Sequence, residues 1–234
     1  MQQTARNVRD CLSVDSSRVI NRLDDFPDSP LGDPLELLDR TLFTLSAFSG
    51  LAMESMTRGL GWRFMDMGRR VERAMNQAVL IRIGLPQVCG DSRNTLQALL
   101  EVSDSLMTYR ARYKSAFQLA PVLDLLLADE SNPKSLAFQF SGLADHVKHL
   151  PRLTELRFSC AEERIALQML TTVRLLDLTG MQCGEEKTQH ESLAEFLVSM
   201  ETLLKEFAQQ VSGHYLIRVP STPHYPMIPG DRPE

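Results

Sequence analysis

Along most of this chain the apolar positions recur every three or four residues, the spacing of one face of an α-helix. The pattern predicts an all-α fold, a bundle of about seven or eight mostly antiparallel helices. No alternating strand pattern with hairpin turns interrupts it. An opening helix is expected from about Thr4 to Leu23, kinked or split where Asp15 restarts it after Ser13. Asp33, Pro34 and Glu36 mark the next start: Asp33 can cap, Pro34 suits the first helical position, and Glu36 can reach back. That helix carries Leu35, Leu38, Leu42, Leu45 and Ala52 at helical spacing and reaches about Arg58. Another spans about Trp62 to Ile83, with Gly84 and Pro86 expected to stop it. A long helix from about Arg93 to Gln118 follows, with Leu96, Leu99, Leu100, Leu106 and Met107 on its buried side. Pro121 opens a short apolar helix, Val122 to Ala128. Asn132, with Pro133 behind it, is expected to cap a helix to about Leu150, where Pro151 stops it. Ser159 to Glu162 and Thr188 to Glu191 read as capping boxes for helices ending near Leu178 and Tyr215. Pro220, Pro223, Pro226 and Pro229 then recur at the period of polyproline II, so 219–234 is expected to be an extended or disordered tail behind one helical domain, 1–218.

The helix from Trp62 to Ile83 carries the densest chemistry. Phe64, Met67, Val71, Ala74, Met75 and Ala78 share a wide apolar face, and Arg63, Asp66, Arg70 and Gln77 a solvent-type face. On the third face Arg69, Glu72, Arg73 and Asn76 sit between Trp62, Met65, Leu80 and Ile83. Charges framed in this way are expected to be paired and not to point freely into water. Glu72 can meet Arg69 on the helix surface, whereas Arg69 and Arg73 repel unless an anion lies between them. The set reads as an ion network tying the helix to its neighbours or as an anion clamp, because Arg grips carboxylate and phosphate bidentately. Tyr109 and Tyr113, one turn apart beside Arg110, either line a polar pocket or pack their rings at the bundle rim. A helix N-terminus at Asn132–Ser135, with Lys134 near it, would welcome an anion.

Composition narrows the function classes. The chain has 234 residues, 43% hydrophobic and 24% charged, the usage of an ordinary globular protein. A net charge of −5 argues against general nucleic-acid binding and makes any anion site local. Cys11, Cys89, Cys160 and Cys183 form no CxxC pair, so neither a disulfide framework nor a zinc site is expected and a reducing, cytoplasmic setting fits. No apolar run approaches the ~18 residues of a membrane span, and Met1 to Thr4 do not open a signal peptide. No helix carries Glu-x-x-His, and P-loop, GxGxxG and GxSxG signatures are missing. His146 and His149, with Asp145 beside them, offer two metal ligands and no evident third. No metal or cofactor is expected, and the motifs assign no enzymatic activity to this chain alone.

Gly61-Trp62-Arg63-Phe64, followed by Gly68-Arg69-Arg70-Val71-Glu72-Arg73-Ala74, resembles the alpha-E domain family, bacterial all-helical domains of unknown function with a Glu-Arg motif. Ala5-Arg6-Asn7-Val8-Arg9-Asp10, Met56-Thr57-Arg58, Tyr109-Arg110-Ala111-Arg112-Tyr113 and Asn132-Pro133-Lys134-Ser135-Leu136-Ala137-Phe138-Gln139 resemble its other marks, in matching order from about Ala5 to Tyr215. The family usually has an earlier helix with a first Glu-Arg motif. Nothing before Ala5 supplies it, so a partial domain is expected. Such domains occur beside, or fused to, circularly permuted ATP-grasp proteins and transglutaminase-like proteases. The resemblance therefore implies an accessory domain that docks an ATP-grasp ligase in peptide synthesis or modification and holds an acidic substrate or product. Two other readings stand beside it: an enzyme with Arg69, Glu72, Arg73, Arg110 and Tyr113 as its pocket, and a purely structural bundle. Without the earlier helix, Trp62, Met65, Leu80 and Ile83 are expected to meet a partner or a second copy, most simply as a two-fold dimer.

Overall fold

A computed structural model describes residues 12–22, 33–88, 92–114, 116–151, 160–178 and 186–216. The expectations for Ala5–Asp10, for Cys11, Cys89 and Cys183, and for the proline-rich tail lie outside them. Among the described residues the chain is all-α, with nine α-helices and no strand. It divides into two compact units, Met1–Arg69 and Arg70–Glu234, and one long helix contributes to both.

The first unit contains α1 (Val14–Asn21), α2 (Pro34–Ser55) and the beginning of α3 (Leu60–Val88). Ser13 caps α1 by accepting the Ser16 amide at 3.1 Å, so a helix starts just after it. Asp33 caps α2, accepting the Leu35 amide at 2.9 Å with Pro34 behind it. α1 packs on α2. Within α2 only Thr44 and Ala52 are buried, and Leu35, Leu38 and Leu42 of the apolar row are exposed. The Arg58 guanidinium lies 4.3 Å over the Trp62 ring, a cation–π contact at the start of α3.

The second unit runs from the rest of α3 through α4 (Ser92–Val102), α5 (Leu106–Tyr113), α6 (Leu119–Leu123), α7 (Leu136–Lys148), α8 (Ala161–Arg174) and α9 (Glu186–Val211). A π-helical turn, Asp124–Ala128, continues α6, and a second one, Ser212–Leu216, continues α9. α7 packs against α8 and the first π turn, and α8 packs against α9. Leu125, Leu126, Leu127, Phe140, Met169, Leu204 and Phe207 form the core of this unit and are inaccessible or nearly so.

Several boundaries differ from the sequence pattern, each for a local reason. α3 passes through Gly84 and Pro86 to Val88. Pro86 sits in the last turn, where its missing N–H forfeits a single ladder bond. Gly84 does not stop the helix. It lets α4 approach: a Cβ there would meet Leu99 Cδ2 at 2.6 Å. The buried face of α3 is rotated toward Asp66 and Gln77, which are buried, while Glu72, Arg73 and Asn76 are exposed. Of the charged face expected to be withdrawn from water, only Arg69 is partly withdrawn, and Glu72, Arg73 and Asn76 are not.

The expected helix from Arg93 to Gln118 is two helices. Ser105 N–H bonds back to the Leu100 carbonyl at 2.8 Å and Asp104 N–H to that of Glu101 at 3.0 Å, closing a Schellman turn. Asp104 takes the left-handed conformation, φ 49°, that glycine usually supplies there. Leu96, Leu99 and Leu100 are buried as the spacing implies, but Met107 beyond the break is exposed. α6 starts at Leu119, ahead of Pro121. Asn132 does not cap α7; Ser135 does, accepting the Phe138 amide at 3.0 Å. Cys160 stands at the N-cap of α8 without a side-chain bond, and Glu162 has partners far away in the chain instead of its own helix end. α9 begins at Glu186, before Thr188.

Candidate functional site

A pocket of about 370 Å³ opens in the second unit where three segments meet. α3 contributes Arg73, Asn76, Gln77 and Leu80, the end of α4 contributes Val102 and Ser103, and the turn before α7 contributes Pro133 and Lys134. Helical spacing puts Arg73, Asn76, Gln77 and Leu80 on one side of α3. The Schellman turn ends α4 in time to bring Ser103 against Gln77.

A line of buried polar groups fixes this geometry. Gln77 Nε2 donates to Ser103 Oγ at 3.2 Å. Ser105 Oγ donates to the Ser103 carbonyl at 3.1 Å. Asn132 Nδ2 donates to the Leu125 carbonyl at 2.9 Å and reaches Ser105 Oγ at 3.4 Å. Asn132 Oδ1 accepts the Lys134 amide at 3.1 Å. Gln77, Ser103, Ser105 and Asn132 are all buried, so these bonds form out of competition with water and set the place of Lys134 firmly. Gln139 adds a bond from its Nε2 to the Pro133 carbonyl at 2.5 Å. Two cationic side chains, Arg73 and Lys134, therefore face one concavity and both remain exposed to solvent. The Lys134 ammonium lies 3.1 Å from the carboxylate of Asp104, which is itself 83% exposed. Such a surface pair is worth little and yields readily to another carboxylate or a phosphate.

Of the residues expected at a site, Arg73 and Asn76 line this pocket. Arg69 belongs to the first unit, half-buried with Asp66 at 3.9 Å. Glu72 and Arg110 are exposed and do not line the pocket. Tyr109 and Tyr113 stack at 5.0 Å, as their one-turn spacing implies, but elsewhere. The buried Tyr109 hydroxyl donates to the Ala116 carbonyl and accepts the Gln118 amide, both at 3.2 Å, which ties α5 to α6. Tyr113 donates to Asp124 at 2.8 Å. Burial, and then that bond to Asp124, push the Tyr113 phenol above its usual range. Beside it, Arg112 and Ser131 both hold Asp129. Desolvation alone would raise the Asp129 carboxyl, but hydrogen bonds from the Ser131 hydroxyl and amide and from Arg112 keep it low.

A second cluster escaped the sequence reading. Glu162 is 1% exposed, with Tyr215 Oη and His214 Nδ1 each 3.0 Å from its carboxylate. Burial, followed by the hydrogen bond to Glu162, drives the Tyr215 phenol far above its normal range. The cluster anchors the final π turn to the start of α8. Capping-box spacing gave Glu162 a local role, and nothing in the pattern pointed 52 residues downstream. His146 is buried in α7, whereas His149 is exposed with Nδ1 2.7 Å from the Asp145 carbonyl. Among the described residues no group of three or more His, Cys, Asp or Glu side chains is placed to hold a metal ion, and no helix is long and apolar enough to cross a membrane.

An all-helical domain with a pocket bearing two cations is the class that fold and site define. The family model for Alpha-E, described as a predicted alpha-helical domain with a conserved ER motif, matches residues 1–216, and the chain belongs to that family. Two adjacent Glu-Arg pairs fall inside the match, Glu72–Arg73 and Glu163–Arg164, and the first of them supplies the pocket with Arg73. The chain is 29% identical to an uncharacterized protein of Mycobacterium bovis over 224 residues, 91% of this chain and 25% of that protein. An uncharacterized protein of Mycobacterium tuberculosis is similar at 28% identity over the same share. The chain thus spans about a quarter of the length of the curated relatives it matches. No solved structure matches it.

Proposed function

We propose that this chain is a non-catalytic helical interaction domain. It acts in the cytoplasm with an ATP-grasp-type ligase in bacterial peptide synthesis or modification, and it holds an acidic ligand in the pocket of Arg73 and Lys134. The observation that carries the ligand part is the placement of these two cations, from segments 61 positions apart in the chain, around one concavity. A guanidinium and an ammonium, with the Asn76 amide one turn from Arg73 on the same wall, suit a carboxylate or phosphate. The ligase part rests on the resemblance of the motifs to alpha-E domains. The fact that relatives of this chain are about four times its length fits a module working beside other domains. Self-association of the isolated chain, most simply as a two-fold dimer, belongs to the same reading. The enzyme reading finds less support, because Tyr113 is engaged with Asp124 and neither Arg110 nor Glu72 lines the pocket.

Titration calorimetry of the full chain at low salt with inorganic phosphate and with glutamate tests the ligand part. Binding that weakens about tenfold in Arg73→Ala and in Lys134→Ala is expected, since a charged hydrogen bond is worth about 1.5–3 kcal/mol. Unchanged binding in both variants overturns it. A native pull-down from the source cell tests the partner: an ATP-grasp protein is expected, and its absence from a preparation that retains other partners overturns the ligase part.

A further inference from the structure

The pocket does not end at Leu80. A second hollow of about 180 Å³ continues from it, and the two share Leu80 and Val102 as walls. Beyond the shared wall the lining is mostly apolar, with Ile83, Gly84, Ala98 and Leu99 and one hydroxyl residue, Thr95. Ile83 is 57% and Val102 70% exposed, so apolar surface stands open beside the charged pocket. We infer that the ligand of this groove is a peptide segment in which an acidic side chain is followed, two positions on, by a Leu-sized apolar side chain. The inference rests on the anion-binding reading above and names its ligand class.

Three features select this occupant. The charge at one end is complementary to a carboxylate: Arg73 and Lys134 face it, and the Asp104 carboxylate that now neighbours Lys134 is exposed and exchangeable. The size at the other end suits one side chain and not a long acyl chain, because an apolar cavity of about 150 Å³ accepts a benzene-sized guest. The spacing fits extended peptide. On α3 the polar hollow spans Arg73 to Leu80 and the apolar one Leu80 to Gly84, so their mid-points lie about 8 Å apart at the helical rise. Side chains at i and i+2 of a strand stand about 7 Å apart on one side. Gly84 lets Leu99 stand close against α3 at one wall of the apolar hollow.

Calorimetry of the full chain with three probes tests the inference: N-acetyl-Glu-Ala-Leu-amide, N-acetyl-Glu-Ala-Gly-amide and inorganic phosphate. The leucine peptide is expected to bind about tenfold or more tightly than the glycine peptide, the worth of burying a leucine-sized group. Val102→Ser, at a position exposed enough to leave the fold intact, should erase that advantage. Arg73→Ala should weaken both peptides alike. Equal affinity for the two peptides, or tightest binding by phosphate, overturns the inference and leaves the anion site standing. Binding by none of the three probes, or binding indifferent to Arg73→Ala and Lys134→Ala, overturns the anion site itself.

Discussion

α2 and α7 begin alike and end up in different surroundings. Each has a short polar cap, Asp33 or Ser135, accepting an amide of its first turn, and each carries aliphatic and aromatic residues at helical spacing. α7 buries Leu136, Ala137, Phe140, Leu143, Ala144 and Val147. α2 leaves Leu35, Leu37, Leu38, Leu42 and Phe43 in solvent. The approach to α7 is tied down by Asn132, which reaches the Leu125 carbonyl and, across 27 positions, the Ser105 hydroxyl. The side-chain bonds of Thr41 and Thr44 in α2 go to carbonyls one turn back, at Leu37 and Arg40. An apolar row at helical spacing therefore specifies a helix, but its entry into a core depends on polar groups elsewhere that place a neighbour against it.

Phenylalanine truncation separates the two helices most widely. Phe140→Ala is expected to cost about 3–5 kcal/mol, the loss of a fully buried ring and the cavity it leaves. Phe43→Ala, at a position 77% exposed, should stay within about 0.5 kcal/mol. Urea unfolding of the two variants measures both. A Phe43→Ala cost close to that of Phe140→Ala would break the contrast and show that the row on α2 is covered in solution.

The next largest effect should come from the polar line that brings α7 into place. Asn132→Ala leaves the buried Leu125 carbonyl and the Lys134 amide without their partner, which costs about 1–3 kcal/mol. A fall in melting temperature together with weakened phosphate binding is expected, because Lys134 loses its anchor. Loss of stability with binding intact would mean that the turn holds Lys134 by other bonds.

Little of that line was legible from spacing. Asp33–Pro34 announced α2 correctly because a cap acts within three residues. Asn132–Pro133 has nearly the same signature, yet its side chain is spent on Leu125 and Ser105, and the cap falls to Ser135. The break after Val102 was hidden because Asp104, not glycine, occupies the left-handed position. For the candidate site, Arg73 and Asn76 could be picked out from the charged face of α3 and Lys134 from its motif. Gln77 and Ser103 could not, since periodicity puts one on a solvent-type face and the other inside a continuous helix, where the structure has a break. Long-range partners decide these positions, and periodicity carries no information about them.

Acid should loosen the approach to α7 by a smaller amount. Asp129 is held below the usual carboxylate range, despite the burial that opposes this, by Ser131 and Arg112. Glu130 is held low by Arg174, which meets it with two bonds of 2.6 and 2.9 Å. A carboxyl whose folded pKa is depressed adds stability above its unfolded value, about 3.9–4.3, and loses it as pH falls through the folded value. Arg112, Arg174 and Glu130 are well exposed, so solvent discounts both contributions. Stability should therefore decline modestly below about pH 4, and Asp129→Asn should flatten part of that decline. An acid limb unchanged in Asp129→Asn would assign it to other carboxylates.

The smallest expected effect lies at the start of α2. Asp33→Ala removes the acceptor of the Leu35 amide and leaves that donor to water, which is available because the first turn is exposed. The cost should be about 1 kcal/mol, and it should fall on the helix end. Faster hydrogen exchange at Leu35 and Glu36, with the amides around Ala52 unchanged, is the expected pattern, since Ala52 is the fully buried anchor of this helix. Fraying that spreads to Ala52 would show that capping, and not packing, holds α2 together, and the contrast with α7 would then be sharper than burial alone implies.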